Sequence, residues 1–165
     1  IVENLREFTQ LDGADWQHFN LERGLDSTLR ILENELRGKA EVVREYAGLP
    51  DVECIAAQIN QVFMNLIANA AQAIPERGVI TLRTGQAGDS VWVEIADDGV
   101  GIAPENLQRV FEPFFTTKPV GKGTGLGLSL AYGIVRQHGG NLAVNSEPGR
   151  GATFRVTLPR TREQQ

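Results

Sequence analysis

Residues 54–74, CIAAQINQVFMNLIANAAQAI, carry the strongest periodic signal in the chain. Ile55, Ile59, Val62, Phe63, Leu66, Ile67, Ala70 and Ile74 recur at steps of three and four, which lines one face of an α-helix, and Pro75 and Gly78 punctuate its end. Directly downstream, 79–84 (VITLRT) and 91–96 (VWVEIA) read as two strands of a hairpin joined by a glycine-containing loop. Upstream, 24–37 reads as a helix ending near Gly38, 40–46 (AEVVREY) as a strand, and Gly48-Leu49-Pro50 as a turn. Beyond the hairpin, 97–124 is loop-like and rich in glycine, with a short helix predicted around 104–110 after Pro104. A helix over 125–138 follows, stopped by Gly139-Gly140, and strands at 141–146 and 152–158 flank the turn Glu147-Pro148-Gly149. Antiparallel neighbours rather than strict β-α alternation favour helices stacked on one face of a sheet.

The bulk numbers fit such a domain. The chain has 165 residues, 41% of them apolar and 22% charged, which is ordinary globular composition with room for a core. Its net charge of −5 gives no basic face for nucleic acid. An acidic protein that binds a polyphosphate must use local devices instead: backbone amides, a few placed cations, a metal ion. Cys54 is the one cysteine, so no disulfide or thiolate metal site is available within the chain, and its apolar setting predicts buried filler. No run of about 18 apolar residues exists to cross a membrane. Residues 1–11 (IVENLREFTQL) place apolar residues at helical spacing before Asp12-Gly13, an amphipathic stripe that needs a partner. The polar tail 161–165 is expected to fray.

Three stretches point to chemistry. Asn65 and Asn69 lie four residues apart on the long helix, nearly on one face (about 40° apart around the axis). Asparagine is a mediocre helix former, and two in an apolar helix cost stability unless their amides are used. An amide oxygen can serve a hard cation such as Mg²⁺, and its NH₂ can serve phosphate oxygens. Asp97-Asp98-Gly99-Val100-Gly101-Ile102 follows the strand VWVEIA: a strand-end carboxylate beside alternating glycines can face a flat ring and accept from an exocyclic amine. Gly121-Lys122-Gly123-Thr124-Gly125-Leu126-Gly127-Leu128-Ser129 then runs into a helix whose N-terminal amides suit an anion. Its glycine spacing matches neither a Walker A loop nor a Rossmann fingerprint. Only three lysines occur in the chain, and two of them, Lys118 and Lys122, fall in this region. Taken singly, each stretch has a bland explanation, as solvated helix, turn or linker. Ahead of the last stands FEPFFTTK (111–118), whose three phenylalanines read as the anchor of a lid.

The order NLIANA, DDGVGI, FEPFFTTK, GTGLGLSL and GATFRVTLP resembles the N, G1, F and G2 boxes of bacterial sensor histidine kinases, over roughly residues 15–160. The resemblance implies an α/β two-layer sandwich, a mixed and largely antiparallel sheet of about five strands with three helices on one face. This is the Bergerat-type ATP-binding fold shared with gyrase, MutL and heat-shock chaperones. It implies ATP and Mg²⁺ as ligands. Asn69 would meet the metal, Asn65 the phosphate or ribose, and Asp97 the adenine amine with Thr153 supporting it through a water. Gly99, Gly101 and Ile102 would shape the adenine pocket. Lys118, Lys122, Gly123, Thr124, Gly125, Leu126, Gly127 and Leu128 would serve the phosphates, and 103–124 would form an ATP lid, mobile without nucleotide.

By the same resemblance, 1–12 would be the end of a dimerisation helix and 13–160 the catalytic domain. The γ-phosphate would pass to a histidine on the dimerisation domain and then to a response-regulator aspartate. Neither His18, in Gln-His-Phe-Asn, nor His138, in Gln-His-Gly-Gly at a helix end where a structural capping role is expected, has the acidic neighbour expected of that acceptor. The fragment would therefore bind ATP as a monomer without labelling itself, and the cytoplasmic parent, a homodimer, could be anchored in the inner membrane. ATPases of the superfamily carry glutamate where this chain has Asn65, which cannot act as a general base, so kinase is favoured over hydrolase. Many kinases of the family have Lys or Arg where this chain has Gln72; Lys118 or Lys122 would compensate.

Overall fold

The computed structural model describes residues 15–113, 115 and 127–162. Their elements run β1 (Gln17–Phe19), α1 (Leu21–Ile31), α2 (Glu33–Leu36), β2 (Ala40–Glu45), β3 (Val52–Cys54), α3 (Ala56–Ala73), β4 (Gly78–Ala87) and β5 (Ser90–Asp97). Then come α4 (Pro104–Leu107), α5 (Gly127–Gln137), β6 (Asn141–Glu147) and β7 (Gly151–Pro159).

Five strands form the main sheet in the order β2-β4-β5-β7-β6. β2 runs parallel to β4 and every other neighbour is antiparallel. The two-residue side-chain period of a strand decides which face is covered. On β5, Val91, Val93, Ile95 and Asp97 are buried while Trp92, Glu94 and Ala96 between them are half-buried. β7 repeats the pattern with Ala152, Phe154, Val156 and Leu158. The buried stripes meet the long helices: Leu21, Leu25 and Leu29 of α1, Ile59, Val62, Phe63, Leu66 and Ile67 of α3, Ala131, Ile134 and Val135 of α5. At roughly 25 cal/mol per Å² of apolar surface removed from water, this single layer boundary supplies most of the drive to fold. The fold is thus the expected two-layer sandwich, with two single-turn helices, α2 and α4, added to the three long ones.

Where the elements differ from expectation, local chemistry explains it. The first described helix begins at Leu21 rather than residue 24, because the Asn20 side chain accepts from Arg23 N at 3.0 Å and caps it. It breaks at Leu32 (φ −91°, ψ 8°), which splits the predicted 24–37 helix in two. Cys54, expected to open the long helix, instead ends the strand Val52–Cys54; β3 pairs with β1 in a separate two-stranded sheet. The tail is tied down as far as Arg162, whose N–H donates to Glu53 Oε1 at 2.7 Å and whose guanidinium lies 4.4 Å from the Trp16 ring centroid.

His138, at the end of α5, fastens that helix to α3. Its Nε2 accepts from the Ile55 N–H at 3.1 Å, where α3 begins, and its Nδ1 faces the Ile134 carbonyl at 2.8 Å. Because Ile55 can only donate and Ile134 can only accept, the ring is the neutral Nδ1–H tautomer. Burial holds its pKa below the ordinary histidine value despite the hydrogen bond to Ile134. The capping role expected of this histidine is therefore met, although the helix it caps is α3 as well as its own. Cys54 is fully buried, as expected, and burial pushes its thiol up to about 12.

Candidate functional site

The site is built along one stripe of α3. Gln61, Asn65, Asn69 and Ala73 follow at i, i+4 spacing and so lie nearly above one another. At one end, the Asn65 Nδ2 donates to the Gly127 carbonyl at 3.0 Å, reaching the first residue of α5. At the other, the Ala73 carbonyl accepts from Val100 N at 3.0 Å, reaching the loop after β5. Asn69 sits midway, half-buried, and its amide takes no hydrogen-bond partner among the described residues.

The loop after β5 is held by its glycines. A Cβ on Gly99 would stand 2.2 Å from the Ala73 carbonyl oxygen, so only glycine lets this loop dock on the end of α3. Gly101 has φ +75°, and a Cβ there would meet the Glu147 carbonyl at 2.2 Å. The opposite wall is the β6–β7 turn: Gly149 N donates to Val100 O at 2.9 Å and Ile102 N to Ser146 Oγ at 2.8 Å. The two glycines thus serve the loop's own docking between α3 and this turn.

The Asp-Asp pair divides its labour. Asp98 Oδ1 accepts from Val79 N at 2.8 Å and braces the start of β4. Asp97, opposite Ile80, is 7% exposed; its Oδ1 accepts from Gly99 N at 2.8 Å. Its Oδ2 is buried and completes no hydrogen bond among the described residues, the Ala152 amide lying near enough to act on the carboxyl without pairing with this oxygen. A buried carboxylate oxygen left unpaired is costly, and native proteins seldom tolerate one without a reason. Burial is the largest influence on this carboxyl and raises its pKa; the Gly99 and Ala152 amides pull it back, and the Asp98 charge pushes it up.

One expected site residue falls elsewhere. Thr153 pairs with Ala96, so strand alternation puts it on the sheet face away from Asp97. The residue beside Asp97 is Ala152, whose amide is among the groups acting on the carboxyl. A hydroxyl of Thr153 is therefore in no position to support Asp97, and the register, off by one from the expectation, is the reason. Leu128 packs half-buried against the core, and Ile102 does the same. Lys118, Lys122, Gly123, Thr124, Gly125 and Leu126 lie outside the described residues, as do the helix expected at 1–12, residues 114 and 116–124 of the expected lid, and residues 163–165. Of the lid phenylalanines, Phe111 stacks on Tyr132 at 5.0 Å and meets Phe154 edge-on at 6.3 Å, and the Arg109 guanidinium lies 4.6 Å from the Phe115 ring centroid. Phe111 thus ties the segment after α4 to α5 and the sheet.

Sequence reasoning missed Gln61, whose Nε2 donates to Asn65 Oδ1 at 2.9 Å, and the Ala73 carbonyl that receives the loop. A glutamine among helix-face polar residues gives no signal until its partner is seen. Among the described residues no cluster of three or more His, Cys, Asp or Glu could hold a metal. A divalent ion would have to be carried largely by a ligand's own phosphates, with the unpartnered Asn69 amide fitting it as one oxygen donor.

The site thus joins a sheet end carrying a buried carboxylate, through one stripe of α3, to the start of a second helix in a two-layer α/β domain. The histidine kinase-, DNA gyrase B-, and HSP90-like ATPase family matches residues 54–162, and the chain belongs to it, as a histidine-kinase ATP-binding domain. The sensor kinase CckA of Brucella abortus is 44% identical over 153 residues, covering 82% of this chain and 16% of CckA. The sensor histidine kinase ZraS of Escherichia coli is 35% identical over 161 residues, covering 96% of this chain and 34% of ZraS. The chain therefore spans about a third or less of the length of these curated relatives. The nucleotide-free catalytic domain of the histidine kinase ThkA superposes with a TM-score of 0.82 at 30% identity, over 92% of this chain and 99% of that domain. ThkA has also been solved in complex with the response regulator TrrA; that chain matches at TM-score 0.80 and 27% identity, over 99% of this chain and 47% of ThkA.

Proposed function

We propose that this domain binds ATP with Mg²⁺ and donates the γ-phosphate to a histidine on the dimerisation domain of its parent, for relay to a response-regulator aspartate. The observation that carries the reading is the buried Oδ2 of Asp97, an acceptor that completes no hydrogen bond among the described residues and is suited to the adenine amine. Gly99 and Gly101 hold the loop beside it, with Ile102 as apolar wall. Asn69 supplies the free amide oxygen for Mg²⁺, which when bound would offset charge on the phosphates. Gly127 and Leu128 open α5, and with Gly123, Thr124, Gly125 and Leu126 they offer backbone N–H groups to the phosphates; Lys118 and Lys122 add charge. In this reading 103–124 acts as an ATP lid.

Asn65 argues for transfer over hydrolysis. Its NH₂ is committed to the Gly127 carbonyl and its oxygen to Gln61, and an amide cannot take a proton from water in any case. The chain's residues therefore bind and orient, and the incoming imidazole is itself the nucleophile. Among the described residues, exposed His18 lies in β1 and His138 is buried with both nitrogens bonded, so the acceptor is assigned to the parent's dimerisation helices, of which 1–12 would be the end. We assign the parent to the cytoplasm as a homodimer, anchored in the inner membrane or free, with a response regulator as partner; the fragment alone would be a monomer. Among the described residues no helix is long and apolar enough to cross a membrane.

The test uses γ-labelled ATP with the parent's dimerisation domain supplied in trans. Acid-labile label on that domain, and none on the fragment alone, is expected. Steady release of phosphate by the fragment without transfer would overturn the kinase reading.

A further inference from the structure

The Asn65 amide is held at both ends, and the order of the bonds fixes its orientation. The Gly127 carbonyl can only accept, so Asn65 must turn its NH₂ toward it, at 3.0 Å. That leaves the Asn65 oxygen facing back along α3, where it needs a donor, and the Gln61 NH₂ supplies one at 2.9 Å. Gly127 packs against the same side chain: a Cβ there would stand 3.8 Å from Asn65 Cγ. The chain of contacts Gln61–Asn65–Gly127 thus crosses from α3 to the first residue of α5 and carries one direction of hydrogen bonding throughout.

We propose that Gln61 is a positioning residue for phosphate binding: by fixing the orientation of the Asn65 amide, it sets the opening turn of α5 against α3. The inference rests on the nucleotide reading above, in which that turn faces the phosphates. Gln61 touches no nucleotide; it acts through Asn65. Replacing it with an acceptor of the same length would set two oxygens against each other, or turn the Asn65 oxygen onto the Gly127 carbonyl. Either result moves the start of α5 while leaving the Asp97 end of the cleft alone.

The test is a set of NMR titrations with adenosine and Mg-ADP on wild type, Gln61→Glu and Gln61→Met, each also made in an Asn65→Ala background. Gln61→Glu should weaken Mg-ADP about tenfold, the equilibrium worth of one well-made hydrogen bond, with adenosine within about twofold. Gln61→Met, which brings no charge, should show a smaller loss confined to Mg-ADP. In the Asn65→Ala background neither substitution should matter further, because the partner it orients is gone. A loss shared equally by adenosine and Mg-ADP, an undiminished loss without Asn65 (simple charge repulsion), or no loss at all would overturn the proposal. Wild-type protein that bound neither ligand would instead remove the nucleotide reading itself.

Discussion

Two polar side chains are buried to a similar degree and treated in opposite ways. His138 is 5% exposed and both its ring nitrogens are bonded, one to the start of α3 and one within α5. Asp97 is 7% exposed and keeps one carboxylate oxygen with no partner. The histidine is a structural joint, complete without any other molecule. Asp97 is incomplete, and its cost is sustained by a rigid setting: β5 on one side, the Ala73 carbonyl on the other, the β6–β7 turn above. Stability and binding are therefore assigned to different buried groups, and substitutions at the two should separate them.

The largest effect expected is on binding. Asp97→Asn keeps the acceptor for Gly99 but replaces the unpaired oxygen with a donor, and should weaken Mg-ADP by about a hundredfold or more. Its nucleotide-free thermal midpoint should hold or rise, since a buried charge is removed. His138→Ala reverses the pattern. It orphans the Ile55 N–H and leaves a void, costing about 2–3 kcal/mol in chemical denaturation, with Mg-ADP affinity within about twofold. Gly99→Ala forces a Cβ against the Ala73 carbonyl and should cost about 1–3 kcal/mol while also loosening the Asp97 loop, so that both readouts fall together.

The pH dependence is smaller and opposite in sign at the two groups. Asp97 has a raised pKa, so the native carboxyl holds its proton more tightly than the unfolded one. Its contribution is present below the ordinary carboxylate range and lost as pH rises through the native value. His138 has a lowered pKa; its contribution is present above the ordinary histidine range and lost as pH falls through the native value. Urea midpoints of wild type, Asp97→Asn and His138→Ala across acid to neutral pH should show each slope vanish with its own substitution. A slope that survives in both variants would mean the two groups have been misassigned.

Much of this was legible in the residues. The 3.6-residue period of α3, the hairpin β4–β5 and the Asp-Asp-Gly-Val-Gly loop all carry their structure locally, and their order resembled one family. What escaped depended on pairing. β1 and β3 are three residues each, too short to show a period, and exist only because they meet. Thr153 looked suited to Asp97, but a one-residue register places it on the opposite face and brings Ala152 there instead. Asn65 stood out in the residues as a polar position in an apolar helix, yet its bond to Gly127 spans 62 positions and could not be seen along the chain. The capping role of His138 was visible from its place before Gly139-Gly140, while its hold on Ile55, 83 positions away, was not.

A nucleotide that lacks the exocyclic amine tests most directly whether the unpaired oxygen of Asp97 is the acceptor proposed for that amine. Calorimetric titration of Mg-ADP and Mg-IDP into wild type and Asp97→Asn probes this edge of the base, because the two ligands share ribose, phosphates and metal. IDP carries O6 and N1–H where ADP has the exocyclic amine and a bare N1. Wild type should favour Mg-ADP by about a hundredfold, and Asp97→Asn should lose that preference. Equal binding of the two nucleotides by wild type, or a preference for Mg-ADP that survives in Asp97→Asn, would contradict the assignment.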